Sequence, residues 1–127
     1  MITGIYAGLC GILLIVLYIR VSQRRLGQKI GAGSGGDTEL EQRIRAHANL
    51  IESAPLALIL LYLFEQTGAS AAAVHAYGAT FFIARLCHAQ GISNSFKSSP
   101  GRLLGSIGTL LVLLGLSVVV LLRSFGG

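Results

Sequence analysis

A chain of 127 residues, 53% of them hydrophobic and only 12% charged, has room for one domain and carries too much apolar surface for a small soluble one. Its mean hydropathy of +0.71 comes from continuous apolar blocks, not residue-by-residue alternation, which argues against a transmembrane barrel. The net charge of +5 gathers around two of the three loops, as orientation in a membrane requires and a nucleic-acid surface does not.

Four blocks, Thr3–Ile19, Ala46–Phe64, Ala71–Gly91 and Leu103–Leu122, each approach the ~20 residues that cross a ~30 Å hydrocarbon core. The expected fold is all-α: an integral membrane four-helix bundle, with residues 1–127 as a single transmembrane domain. The first block lacks a basic leader and runs into arginines instead of a small-residue cleavage site, so it reads as a retained helix. Gly4 and Gly8 on it are spaced to let another helix approach closely.

The first loop begins basic, "RVSQRRLGQK", and turns into the flexible "IGAGSGG". Asp37 or Thr38 then reads as an N-cap, with Glu39 and Glu41 in the first turn where the helix dipole favours acids. Helix two therefore starts in water, well before lipid. The short turn "EQTGAS" makes helices two and three an antiparallel hairpin. In the third loop, "ISNSFKSSPG", Pro100 is placed to open helix four, where Gly101 and Gly105 form a second close-packing pair. Cys10 and Cys87 show neither metal-site nor disulfide spacing and read as spectator thiols, and no metal site is expected.

If the helices alternate, Arg20, Arg24, Arg25, Lys29, Arg43, Arg45, Arg85, Lys97 and Arg102 lie at or near one side, and Arg123 lies towards the other. The positive-inside rule then places loops one and three in the cytoplasm and both termini on the opposite side.

Polar residues within the spans carry the chemistry. At 100° per residue, Arg45, Asn49 and Glu52 fall within about 60° on one face of helix two, running about 10 Å inwards from the rim. Each buried charge costs at least ~2.5–3.5 kcal/mol at the bilayer centre, so the stripe should face protein or water. Pro55 leaves the Ile51 carbonyl without its helical donor beside Glu52. On helix three, Arg85 and His88 share a face, and Glu52 with Arg85 is the natural intramembrane ion pair. Three readings fit: a lock between helices two and three, a polar site for a small anionic ligand, or a path for protons or ions. His75, near the far surface, reads as incidental.

The pattern E-x-x-x-R-A-x-x-N-x-x-E, here Glu41, Arg45, Ala46, Asn49 and Glu52, resembles the MAPEG superfamily of membrane-associated proteins in eicosanoid and glutathione metabolism. The size, the four spans, the basic first loop, Pro55 and "ARLCHAQG" on helix three extend the likeness, which is nearest the small bacterial branch. The resemblance implies a homotrimer in the bacterial inner membrane, with glutathione bound between subunits near the cytoplasmic face. It assigns Arg45, Asn49 and Glu52 to the tripeptide and brings Arg24 to it from the neighbouring subunit. It also pairs Arg85 with the motif glutamate and puts His88 where relatives carry histidine or tyrosine.

Two family tyrosines are replaced, by Ile92 and Ser106. Arg102 falls where prostaglandin E synthase has its thiol-proximal arginine, and Lys97 near the thiolate-stabilising arginine of leukotriene C4 synthase. These two are the expected catalytic cations. The function so implied is glutathione transfer to, or peroxidase action on, lipophilic electrophiles entering from the bilayer through a groove between helices one and four. The alternative is a non-catalytic lipid-binding or scaffold protein of the same fold. A small transporter using the charged stripe is a third reading with little support, since no segment reads as a broken helix.

Overall fold

The computed structural model describes residues 1–94 and 100–126, with side chains left out of the description at 92–94. The described residues form four helices and no strands: α1 (Thr3–Gln28), α2 (Thr38–Gln66), α3 (Ala71–Asn94) and α4 (Pro100–Gly126). The all-α membrane bundle expected from the apolar blocks is the fold observed. Among the described residues α1, α2 and α4 are each long and apolar enough to cross a membrane. Helix α3 has 24 residues, but His75, Arg85 and His88 dilute its apolar content. Arg85 and His88 are both buried within the bundle, which takes them off the lipid-facing surface.

Helix α2 touches all three other helices, as α3 does, whereas α1 and α4 do not meet among the described residues. The buried stripe of α2 is Ala46, Leu50, Ala54, Ala57, Leu61 and Phe64, stepping by fours and threes as a helix-packing seam does. Helix α4 answers with Gly105, Thr109, Val112 and Leu116. The large side chains left outside, such as Ile12, Ile15, Leu110 and Leu114, form the apolar surface that a bilayer would cover.

Glycine sets the α3–α4 distance. A Cβ built on Gly105 would lie 2.5 Å from both the Ala84 carbonyl oxygen and His88 Cβ, so only glycine admits this approach. Gly101 also faces α3, with a built Cβ 3.1 Å from the Cys87 carbonyl, and this expected pair is a packing device. The other expected pair is not one within the subunit: Gly4 meets only the Met1 sulfur and Gly8 meets nothing within 4 Å. The reason is that α1 turns Tyr6, Cys10 and Leu17 towards the bundle, leaving the Gly4 and Gly8 face outside.

The ends are held by side chains from neighbouring helices. Glu65, at the end of α2, accepts hydrogen bonds from the Ile2 amide (2.6 Å), the Thr3 amide (2.9 Å) and the Thr3 hydroxyl (2.7 Å). A carboxylate from α2 thus caps the positive end of the α1 dipole. His75 is not incidental, since its Nδ1 lies 2.7 Å from the Tyr6 hydroxyl and ties α3 to α1.

Candidate functional site

The outer face of α2 carries the predicted stripe. Arg45 Nη2 lies 3.6 Å from Glu52 Oε1, with side-chain exposures of 41% and 61%. Asn49 turns back on its own helix and donates Nδ2–H to the Arg45 carbonyl at 3.1 Å. The three residues therefore share one face, as their spacing predicts, and that face is open.

Arg85 stands behind this wall, 5% exposed. Its Nε donates to Thr109 Oγ1 at 3.0 Å, Nη1 to Ser53 Oγ at 3.3 Å and Nη2 to the Gly105 carbonyl at 3.4 Å. The expected Glu52–Arg85 pair is thus absent within the subunit. The α2 residue that faces Arg85 is Ser53, and Glu52, one position earlier, is rotated about 100° away towards the outside. Ser53 also donates to the Asn49 carbonyl at 2.8 Å, so it connects the buried arginine to the backbone of the outer stripe.

His88 is equally buried, with 5% exposure, and lies against Gly105. Arg85 and Arg102 are both near enough to His88 to act on it electrostatically. Arg102, on the first turn of α4, is half-buried. Lys97 lies outside the described residues, and so does the side chain of Ile92. Ser106 is exposed on α4.

Arg24 is held by the acids that open α2. Its Nε and Nη2 make a two-pronged contact with the Asp37 carboxylate at 2.7 and 3.0 Å, and Nη1 lies 3.1 Å from Glu39. Arg43 joins the same network through Glu39 (2.7 Å) and the Arg20 carbonyl (2.7 Å). Asp37 occupies the N-cap position with extended backbone, and its carboxylate is held first by Arg24, with the Leu40 and Glu39 amides contributing less. The hydrogen bond from Arg24 is the main cause that holds the Asp37 carboxyl below its ordinary value.

A model described as the MAPEG family matches residues 3–122. The chain belongs to the MAPEG family. Among curated proteins it is similar to Inner membrane protein YecN of Escherichia coli (strain K12), 34% identical over 91 residues, which covers 72% of this chain and 70% of that protein. The protein of the same name from Escherichia coli O6:H1 matches to the same extent. Family membership and four long helices make this a membrane protein.

Two further residues of this MAPEG chain shape the site without having been marked by spacing. Ser53 and Thr109 are the polar partners of Arg85. Their signal was present: Thr109 sits in the inward stripe of α4 with Gly105 and Val112, and Ser53 neighbours Ala54 in the inward stripe of α2. The expected groove between helices one and four is not formed inside one subunit, because α1 packs on α2 and α3. An apolar groove of about 280 Å³ instead lies between α1 and α2, lined by Ala7, Cys10, Gly11, Ile51, Pro55 and Leu58 among others.

Proposed function

We propose that this MAPEG protein binds glutathione at an interface between subunits of a homotrimer and transfers it to lipophilic electrophiles, or uses it to reduce lipid hydroperoxides. The observation that carries the reading is the openness of the α2 face: Glu52 and Arg45 are charged, within a membrane helix, and exposed at 61% and 41%. Charges facing hydrocarbon are costly, so this face calls for protein and a polar ligand to cover it. A zwitterionic, net-negative tripeptide suits it, with Arg45 on a carboxylate, Glu52 on the amino group and Asn49 on the peptide backbone. Arg24 would reach the ligand from the next subunit. Arg85 supports α2 from inside the bundle through Ser53, and His88 packs beside it against Gly105 of α4.

In this mechanism the thiol loses its proton and the thiolate is stabilised by a nearby cation, Arg102 first and Lys97 second. The lipophilic partner arrives laterally from the bilayer, and the sulfur attacks its electrophilic atom as the leaving group departs. Proximity and desolvation supply most of the rate. The trimer sits in the bacterial inner membrane with loops one and three cytoplasmic and the termini opposite, in keeping with the basic residues at those loops.

The α1–α2 groove favours a second reading, a lipid-binding or scaffold protein that needs no thiol activation, since its lining is almost wholly apolar. Calorimetry with glutathione on the detergent-purified protein, with thiolate absorbance followed against pH, separates the two. Binding with a depressed thiol pKa is expected for the enzyme. No binding at millimolar glutathione would assign the protein to the scaffold class.

A further inference from the structure

The end of α1 carries a second charged surface that the proposed ligand site does not use. Ser22, Arg25, Leu26 and Lys29 fall within about 100° of arc on one face of the helix, and Arg24 lies about 150° round from its centre. Together with Ile30 and Gly31 they line an open groove of about 600 Å³, within the ~300–1,000 Å³ range of small-molecule sites. Lys29 takes a left-handed conformation with φ 55° and ends the helix. The Ile30 amide then donates to the Arg25 carbonyl at 3.0 Å, which folds Ile30 and Gly31 back over the groove.

Three observations point to what fills it. First, the acids nearby are spent elsewhere: Asp37 and Glu39 are paired with Arg24 and Arg43. Among the described residues Arg25 and Lys29 have no carboxylate partner. Arg25 gives one N–H to the Gly33 carbonyl at 2.8 Å, and a guanidinium carries five N–H donors.

Second, the height fits. A ~30 Å span starting at Thr3 ends near Ser22, so Arg25 falls about 4.5 Å further on, inside the ~5–7 Å headgroup layer. Third, Leu26 lies between the two cations and is 80% exposed. Among the described residues no segment covers it, and its side chain, tilted back towards the helix N-terminus, points from the headgroup layer towards the acyl chains.

We propose that the Ser22–Arg25–Leu26–Lys29 face is a binding site for an anionic phospholipid, with Arg25 on the headgroup phosphate, Lys29 reaching back to it from about 10 Å beyond Ser22, and Leu26 turned towards the first acyl carbons. The Ser22 hydroxyl is placed to meet the glycerol ester oxygens. The site stands apart from the charged α2 stripe, so it holds or fails independently of glutathione binding.

The test uses the full chain in mixed micelles containing phosphatidylglycerol and phosphatidylcholine, with retained lipid counted by native mass spectrometry. Wild type should retain phosphatidylglycerol preferentially. Arg25→Gln with Lys29→Gln should lower that preference roughly thirtyfold, about fivefold per basic residue. Arg123→Gln, at the opposite end, should leave it unchanged. Equal retention of the two lipids, or an unchanged preference in the double variant, would overturn the proposal. So would displacement of phosphatidylglycerol by millimolar glycerol phosphate, which would make this a site for free anions. Should the double variant not fold, wild-type retention against salt decides: the preference should collapse as ionic strength rises, and indifference to salt would refute it.

Discussion

Adding one methyl group to the α3–α4 seam tests the packing that positions Arg85 and His88. A Cβ on Gly105 would lie 2.5 Å from the Ala84 oxygen, 2.5 Å from His88 Cβ and 2.7 Å from the His88 nitrogen. Two of these three atoms are backbone, so no side-chain rotation relieves the clash. Helix α4 must back away by roughly 1 Å, and overpacking of this kind costs about 1–3 kcal/mol. Alanine in place of glycine returns about 1 kcal/mol through helix propensity, leaving a net loss on the order of 1 kcal/mol, more if the Arg85 bond to the Gly105 carbonyl lengthens as well.

Gly108 is a graded comparison, since its Cβ would meet only the Ala84 methyl, at 2.9 Å. Gly8, with open space around it, should accept alanine without loss. Reversible unfolding of Gly105→Ala, Gly108→Ala and Gly8→Ala in mixed micelles should rank in that order, Gly105 the most destabilised. If Gly105→Ala matched wild type, or if Gly8→Ala were the most damaging, the close α3–α4 approach would not be the constraint argued here.

Arg45→Ala should weaken glutathione binding tenfold or more by calorimetry, since a hydrogen bond to a charged group contributes about 1.5–3 kcal/mol, and Asn49→Ala about two- to tenfold, since a neutral one contributes about 0.5–1.5 kcal/mol. Assembly measured by analytical ultracentrifugation should persist, and lost assembly with intact affinity would make the stripe structural. Ser53→Ala takes an acceptor from the buried Arg85 and should cost about 1–3 kcal/mol in unfolding experiments, while Ser53→Thr keeps the hydroxyl and should remain near wild type. The Asp37 carboxyl is held low by Arg24, so the docking of loop one is complete above the unfolded-chain value of about 3.9 and is lost as pH falls through the lower folded value. Hydrogen-exchange protection in the first turn of α2, taken relative to the unstructured rate at each pH, should therefore fall below pH 4, and Asp37→Asn should be poorly protected at pH 7 without that response.

Much of this architecture was legible because lipid imposes a simple code: four apolar blocks became four helices, and the acidic first turn of α2 begins at Thr38, next to Asp37. The stripe of Arg45, Asn49 and Glu52 was readable too, since a single helix fixes which residues share a face. What spacing could not supply was which faces meet. Glu52 and Arg85 are complementary in charge and sit on neighbouring helices, yet a 100° step on α2 decides that Ser53 meets the arginine. Gly4 and Gly8 meet no other helix of the same chain for the same reason: the motif is a property of one helix, and its use depends on the rotation of that helix. His75 looked incidental from its position near the end of α3, where only the tertiary fold brings Tyr6 within reach.

The misplaced ion pair changes how the site works electrostatically. Had Arg85 met Glu52, each charge would have cancelled the other inside the bundle, and Arg45 alone would have offered attraction outside. Instead Arg45 and Glu52 face each other on the outer surface, and Arg85 keeps its charge behind them with hydroxyl and carbonyl partners among the described residues. Across one helix diameter of ~10 Å, at an effective dielectric constant of ~20, a unit positive charge favours an anion by about 1.7 kcal/mol. In the proposed site the outer pair would supply directed hydrogen bonds with no net charge, while the inner arginine would bias the whole face towards a net-negative ligand without touching it. Ser53 links the two, since it accepts from Arg85 and donates into the backbone turn that carries Asn49. Replacing Arg85 by a neutral residue should therefore weaken anion binding even where the geometry of the outer stripe survives.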